Sequence, residues 1–305
     1  MASEAASTRP PPRPPAPFVV GVSRSGTTLL RLMLDAHPEL AIPPETNFIP
    51  KLARALDEGP ATPEAAIAFL AGRRRWPDLG LDAGELRERL AGSPQTTATA
   101  VTRTVFDLYA EARGKPRWGD KTPAFVARMP KVHSVLPEAR FVHLIRDGRA
   151  VALSLKRAEF GPDTAAEAAE LWAKRIRRAR RAAGRVPHYK EVRYEQLVAD
   201  PEPHLRAICE FAELDFEPAM LDYHRGAAER IGESARTMAR ADGSEITAAE
   251  RAVLHAGVAD PPQADLAERW REELSAAELA DVERVAGELL VELGYSSSER
   301  SVTRS

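Results

Sequence analysis

Phe18-Val19-Val20-Gly21-Val22-Ser23-Arg24-Ser25-Gly26-Thr27-Thr28-Leu29-Leu30 is the stretch that decides how this chain is read. A valine-rich apolar run of this kind predicts a buried parallel strand. Gly21 and Gly26 frame a tight loop, and Thr27-Thr28 open an apolar helix that runs to His37-Pro38. Strand, glycine-framed loop and helix aim backbone N–H groups and a helix N-terminus at an anion. A nucleoside triphosphatase with this geometry reads G-x-x-x-x-G-K-[ST], its lysine lying on the terminal phosphates. Here Thr27 stands in the lysine's place, and Arg24 is the only cation of the loop. The loop suits a phosphate-bearing donor and does not suit ordinary ATP or GTP chemistry.

Working outward, Leu40-Ala41-Ile42 reads as a short extended piece closed by Pro43-Pro44, with a helix from Phe48 to about Asp57. Residues 59–117 alternate Gly/Pro breaks with Ala-, Leu- and Arg-rich stretches, which predicts a helical insertion over one end of a sheet, expected to form the acceptor side. Arg140 to Ile145 reads as a strand running directly into a helix at Asp147-Gly148-Arg149-Ala150-Val151. A long amphipathic helix is expected from Thr164 to Ala183, then a strand ending at Val192-Arg193. Strand and helix in alternation predict an α/β fold of three layers, P-loop-like, with a central parallel sheet. One folded unit is expected from Phe18 to Tyr295, between a disordered Pro-rich tail over residues 1–17 and a polar tail over residues 296–305.

Composition narrows the classes of function. The chain has 305 residues, 44% hydrophobic and 29% charged, which is the make-up of a soluble globular protein. Its net charge of −2 implies no global attraction to nucleic acid or membrane. Cys209 is the only cysteine, so no disulfide closes within the chain and no thiolate metal cluster forms. No apolar stretch is long enough to span a bilayer, and the N-terminal residues lack the apolar segment of a signal peptide. A cytoplasmic location fits, and no metal is expected. Oligomeric state is left open.

A second motif is Arg146-Asp147-Gly148-Arg149-Ala150-Val151-Ala152-Leu153-Ser154. Arg146 falls at the carboxyl end of a parallel strand, where open α/β sheets bind ligands. Ser154 lies about two helical turns further on, on roughly the same side. Together they form a clamp for one phosphate through charge-assisted hydrogen bonds. An Arg–Asp pair at a helix start is the competing reading of the same residues.

Taken together, the two segments resemble the sulfotransferases. Gly21–Leu30 is similar to their 5′-phosphosulfate loop, and Arg146–Ser154 to their 3′-phosphate motif. The pattern most resembles tyrosylprotein sulfotransferases and their bacterial relatives. It includes Leu34-Asp35-Ala36-His37-Pro38, Glu45-Thr46 with Ile49-Pro50, and Tyr194-Glu195-Gln196-Leu197-Val198, and returns at Trp270 and Leu293-Gly294-Tyr295. The resemblance implies transfer of a sulfuryl group from 3′-phosphoadenosine-5′-phosphosulfate (PAPS) to a hydroxyl, releasing 3′-phosphoadenosine 5′-phosphate (PAP).

Sulfuryl transfer needs a base for the acceptor hydroxyl and cations on the leaving phosphate, held in line. The resemblance assigns the base to Glu45, which follows two prolines. Capping of the following helix and pairing with a nearby arginine are the other roles open to it. His37 is the rival base, although His37-Pro38 reads as a helix stop. Lys121, in Gly119-Asp120-Lys121-Thr122-Pro123, is the second catalytic cation by resemblance; without it, this segment reads as a solvated turn. Arg24 shares the charge. Ser25, Gly26, Thr27 and Thr28 are assigned to the 5′-phosphate, Arg146 and Ser154 to the 3′-phosphate, and Tyr194 to the nucleotide.

Departures from the resemblance concern the acceptor. Asn47 stands where the tyrosine-directed enzymes carry an arginine, Ala158 stands at a second such place, and Arg157 beside it is turned about 100° away on a helix. A small-molecule, sugar or lipid hydroxyl is therefore the expected acceptor, with peptide tyrosine as the alternative. A P-loop small-molecule kinase and a non-catalytic nucleotide-binding protein are the rivals from other classes. Arg73-Arg74-Arg75 and the seven cations from Lys174 to Arg185 read as solvated helix faces, the former also as a steering patch for an anionic acceptor.

Overall fold

The computed structural model describes residues 13–92, 96–158, 161–233, 238–239, 245–247 and 256–295. Elements follow in the order β1 (Ala16–Gly21), α1 (Thr27–Asp35), β2 (Leu40–Ala41), α2 (Ile49–Glu58), α3 (Pro63–Ala71), α4 (Ala83–Ala91), α5 (Ala98–Glu111), β3 (Arg117–Trp118), β4 (Asp120–Lys121), α6 (Met129–Val135), β5 (Ala139–Ile145), α7 (Gly148–Lys156), α8 (Ala165–Ala183), β6 (Tyr189–Arg193), α9 (Tyr194–Ala199), α10 (Pro201–Phe211) and α11 (His224–Gly232). A final helix spans Ala276–Glu292.

The central sheet has four parallel strands in the order β4-β1-β5-β6. Residues of β1 alternate between its two faces. Phe18 and Val20 enter a core with α2, α5 and α6, while Val19 enters another with α1 and α10. Val22 and Ile145, just past or at the strand ends, join α7, α8 and the C-terminal helix in a third cluster. Helices on both faces of a parallel sheet give the three layers expected. At Gly21 the register leaves no room for a side chain: a Cβ would lie 2.7 Å from the Leu144 carbonyl oxygen of β5.

The sequence reading needs four corrections. Order begins before Phe18: Arg13 pairs with Asp107 at 2.7 Å, and the Ala16 N–H donates to the Glu138 carbonyl at 3.0 Å. The tail expected over residues 1–17 is thus structured from Arg13; residues 1–12 and 296–305 lie outside the described residues. The helix after the phosphate loop ends at Asp35, before His37-Pro38. The stretch expected as an insertion supplies α3, α4 and α5, but α5 is part of the core and not a covering, and none of the stretch lines the cavity described below. Phe106 packs edge-on against Phe18 at 6.4 Å and stacks on Trp118 at 4.8 Å. Lastly, the alternative reading of Asp120-Lys121 as a solvated turn falls: it is edge strand β4, both residues buried. Two residues are too short for periodicity to register.

Candidate active site

The phosphate loop emerges at the carboxyl end of β1. Arg24 adopts φ 73 and Gly26 φ 88, both in the left-handed region. For Arg24 that conformation carries strain, of a kind concentrated at ligand-binding loops. Gly26 is required twice over, because a Cβ would lie 2.4 Å from the Tyr194 ring. Gly26 precedes α1, and no side chain caps that helix. Its first N–H groups are left without a side-chain partner, and Thr27 and Thr28 line the cavity beside the loop.

That cavity, about 220 Å³, gathers residues of five separate segments: Arg24, Gly26, Thr27 and Thr28 of the loop, Glu45, Pro123, Arg146 with Ser154, and Tyr194. Val258 closes one side. The Arg24 Nε donates to Ser154 Oγ at 2.9 Å, and Arg146 donates to the Arg24 carbonyl at 3.4 Å while stacking 4.4 Å over the Tyr194 ring. Burial and the charge of Arg146 both lower the Arg24 guanidinium's affinity for its proton, and burial raises the Tyr194 hydroxyl's pKa. Two arginines this close repel, and an anion between them relieves that repulsion. Ser25 is placed differently from the other assigned residues. It is fully buried, its N–H donates to the Val22 carbonyl, and it does not line the cavity.

Asp147 is the partner of Arg149, not of Arg146. Its carboxylate caps α7 at 2.8 Å and accepts from the buried Arg149 guanidinium at 2.8 Å. Arg146 lines the cavity wall. Glu195 fixes this corner by accepting from the Asp147 N–H at 2.8 Å and from the Tyr295 hydroxyl at 3.0 Å. Neither role was assigned from sequence, although both residues lie in segments that carried the resemblance.

Glu45 is held from both sides along the chain. Before it, the Ile42 N–H donates to Asp35 Oδ1 at 2.7 Å and the Ile42 carbonyl accepts from Arg31 at 2.9 Å, so α1 grips the entry to Pro43-Pro44. After it, the Thr46 hydroxyl donates to Asp120 at 2.8 Å and its N–H to the Thr122 hydroxyl at 3.1 Å, a latch onto β4. The following helix is preceded by Phe48 without a side-chain cap, so Glu45 does not cap it.

The carboxylate of Glu45 meets Lys121 Nζ at 3.1 Å on one oxygen and Arg75 at 3.2 Å on the other, with Asn47 at 3.4 Å. Burial pushes the carboxyl up, but the charges of Lys121 and Arg75 outweigh it and hold the group at about 2. Burial lowers the Lys121 ammonium, opposed by Glu45. Removing one member of a buried ion pair costs about 3–5 kcal/mol, so these charges are tolerated as a set. Arg75 was read as part of a solvated face. It reaches Glu45 because the turn after α3 folds back, a contact with no local signal in the sequence. Arg73, by contrast, stacks on its own helix, 4.3 Å over Phe69.

Asp120, buried beneath this triad, is raised to about 7, chiefly by burial. His37 is structural: its ring hydrogen-bonds the Asp215 carbonyl at 2.8 Å and accepts from the Glu39 N–H at 3.0 Å, away from the cavity lining. Arg157 pairs with Glu273 and does not substitute at the cavity. Among the described residues no three His, Cys, Asp or Glu side chains group as a metal site would require, and no helix is long and apolar enough to cross a membrane.

A parallel-sheet fold with an anion loop after its first long strand and a second cationic clamp at the next strand defines a sulfotransferase-type scaffold. The chain belongs to the sulfotransferase family, whose profile matches residues 15–218. It is 30% identical over 320 aligned residues to nodulation protein NoeE of Sinorhizobium fredii, spanning 94% of this chain and 67% of that protein. It is 28% identical over 214 residues to a putative protein-tyrosine sulfotransferase of Caenorhabditis briggsae, spanning 68% of each. Among solved structures it resembles the sulfotransferase domain of the Synechococcus PCC 7002 olefin synthase, with a TM-score of 0.58 and 25% identity over 92% of this chain and 96% of that domain. The sulfotransferase domain of the curacin biosynthetic pathway shares the fold, with a TM-score of 0.59 at 22% identity over 91% and 98%.

Proposed function

We propose that the protein transfers a sulfuryl group from PAPS to the hydroxyl of a small-molecule, sugar or lipid acceptor, releasing PAP. The observation that carries this reading is the single cavity shared by two anion-binding segments and Glu45. Thr27, Thr28 and the start of α1 hold the 5′-phosphate, and Arg146 with Ser154 holds the 3′-phosphate. Glu45 takes the acceptor proton as the acceptor oxygen bonds to sulfur and the bond from sulfur to the bridging oxygen breaks. Lys121 and Arg24 stabilise charge building on the departing phosphate. In the ligand-free protein Glu45 is a weak base because two cations hold it. A donor phosphate that draws Lys121 toward itself restores that basicity, which couples donor binding to activation of the acceptor.

Sulfation of a peptide tyrosine is the second reading, favoured by the relatives that carry that name. Against it stands Asn47, at the place where the resemblance calls for an arginine. Asn47 adopts φ 55, a left-handed conformation that asparagine tolerates better than arginine.

Thermal unfolding in the presence of PAP, ADP, ATP and GTP, each with and without Mg²⁺, tests the donor. A ligand at 100-fold its Kd adds about 2.7 kcal/mol. Stabilisation by PAP that is indifferent to Mg²⁺ is the expected result. Preference for ATP with Mg²⁺ would turn the assignment toward a kinase.

A further inference from the structure

A second cavity, about 320 Å³, adjoins the first at Ser23, which lines both. Asn47 lies at its wall, within 3.4 Å of Glu45, so this cleft opens beside the candidate base. Lys51 of α2, Arg128 after β4, and Arg175 with Arg178 of α8 line it, and among the described residues no carboxylate does. Three-residue spacing puts Arg175 and Arg178 on one face of α8.

Elsewhere the same elements neutralise their cations. On α2, Arg54 pairs with Glu58; on α8, Arg180 pairs with Glu191 at 3.0 Å; next to the cleft, Lys131 pairs with Asp57 at 3.5 Å. The four cations of the cleft have no ion pair or hydrogen bond through their side chains among the described residues. Arg178, Lys51 and Arg128 are exposed at the rim of the cleft, as Lys174 and Arg177 are on α8, whereas Arg175 is half-buried. Burial lowers its guanidinium's proton affinity with no carboxylate opposing it. Four like charges converging on one concavity repel one another and raise the local concentration of anions. The donor's phosphates have their own cations, Arg24 and Arg146, in the first cavity.

We propose that this cleft is the acceptor site and that the acceptor is itself an anion, carrying a phosphate, sulfate or carboxylate besides the hydroxyl it presents to Glu45. The inference rests on the sulfotransferase reading and narrows its substrate class. Arg175 and Arg178 bind the anionic group, Lys51 and Arg128 flank it, and Ser23 and Asn47 mark the passage to the reacting centre.

The test is a calorimetric titration of the PAP-saturated protein with inorganic pyrophosphate and, separately, with citrate, in wild type and in Arg175→Gln/Arg178→Gln. Saturation with PAP closes the donor cavity to both probes. Wild type is expected to bind at least one probe, and the double variant to bind it at least about tenfold more weakly, as loss of a charge-assisted hydrogen bond implies. The stronger probe tells phosphate from carboxylate. PAP affinity is expected to be unchanged in the variant, which also reports that it is folded. Absence of binding by wild type at millimolar probe, or equal binding by both proteins, would overturn the proposal. Failure of wild type to bind PAP would overturn the function reading, and this inference with it.

Discussion

At the proposed donor end of the cavity the polar groups come from short contiguous segments, residues 24–28 and 146–154, each set by a strand running into a helix. Around Glu45, the proposed acceptor end, Lys121 is met across 76 residues of chain and Arg75 arrives from the turn after α3. Backbone conformation builds the first; tertiary packing builds the second. The donor end is therefore expected to fail through lost affinity and the acceptor end through lost rate.

The largest separation of the two should come from Glu45→Gln. Turnover of [³⁵S]PAPS with the best acceptor found in a screen is expected to fall at least about 10²-fold, with PAP affinity unchanged. A near-normal rate would remove Glu45 from the chemistry. Next comes Arg146→Ala, in which titration with PAP should show a loss of about 1.5–3 kcal/mol. An unchanged affinity with a slower rate would break the comparison at the donor end.

Gly26→Ala places a methyl group against the Tyr194 ring in a left-handed backbone. It should weaken PAP binding and lower stability by roughly 1–3 kcal/mol, read by denaturant unfolding. Stability and affinity unaltered by this change would show that the loop is not fixed as described.

Protonation offers a finer contrast. Asp120 holds its proton up to about 7, against an ordinary 3.8, so folding takes up a proton between those values. Stability at this site therefore falls as pH rises from about 4 to about 7. Glu45 acts in the opposite direction, its stabilisation being lost as pH falls from 4.5 toward 2. Asp120→Asn should flatten the first slope and raise the melting temperature at pH 8; a steeper slope would contradict the assignment. The smallest effect expected is that of Arg75→Gln. With one cation gone from Glu45, the acid limb of kcat/KM should move to higher pH, whereas a purely structural Arg75 would leave that limb in place.

How much was legible from the sequence follows the same division. The sheet strands at Phe18 and Arg140, the long amphipathic helix from Thr164, and the glycine-framed loop all declare themselves within a few residues. Asp120-Lys121 did not, because a two-residue edge strand has no period and its burial comes from β1 alongside. Arg75 did not, because in sequence it belongs to a run of three arginines that looks uniformly solvated. Arg175 and Arg178 were hidden in the same way: a run of seven cations, six of them on α8, reads as one exposed face, whereas the fold brings these two to the lining of a cleft. The motifs behind the proposed donor site were therefore readable, while the cationic cleft proposed for the acceptor appears only once α2, α8 and the segment after β4 are in place.

The most direct test is titration of wild type and Arg146→Ala with PAP and with ADP. These ligands share adenosine and a 5′-phosphate, and only PAP carries the 3′-phosphate. Wild type should prefer PAP by at least about tenfold, and Arg146→Ala should erase that preference while leaving ADP binding intact. Equal affinity for the two nucleotides in wild type, or a preference for PAP that survives Arg146→Ala, would contradict the account.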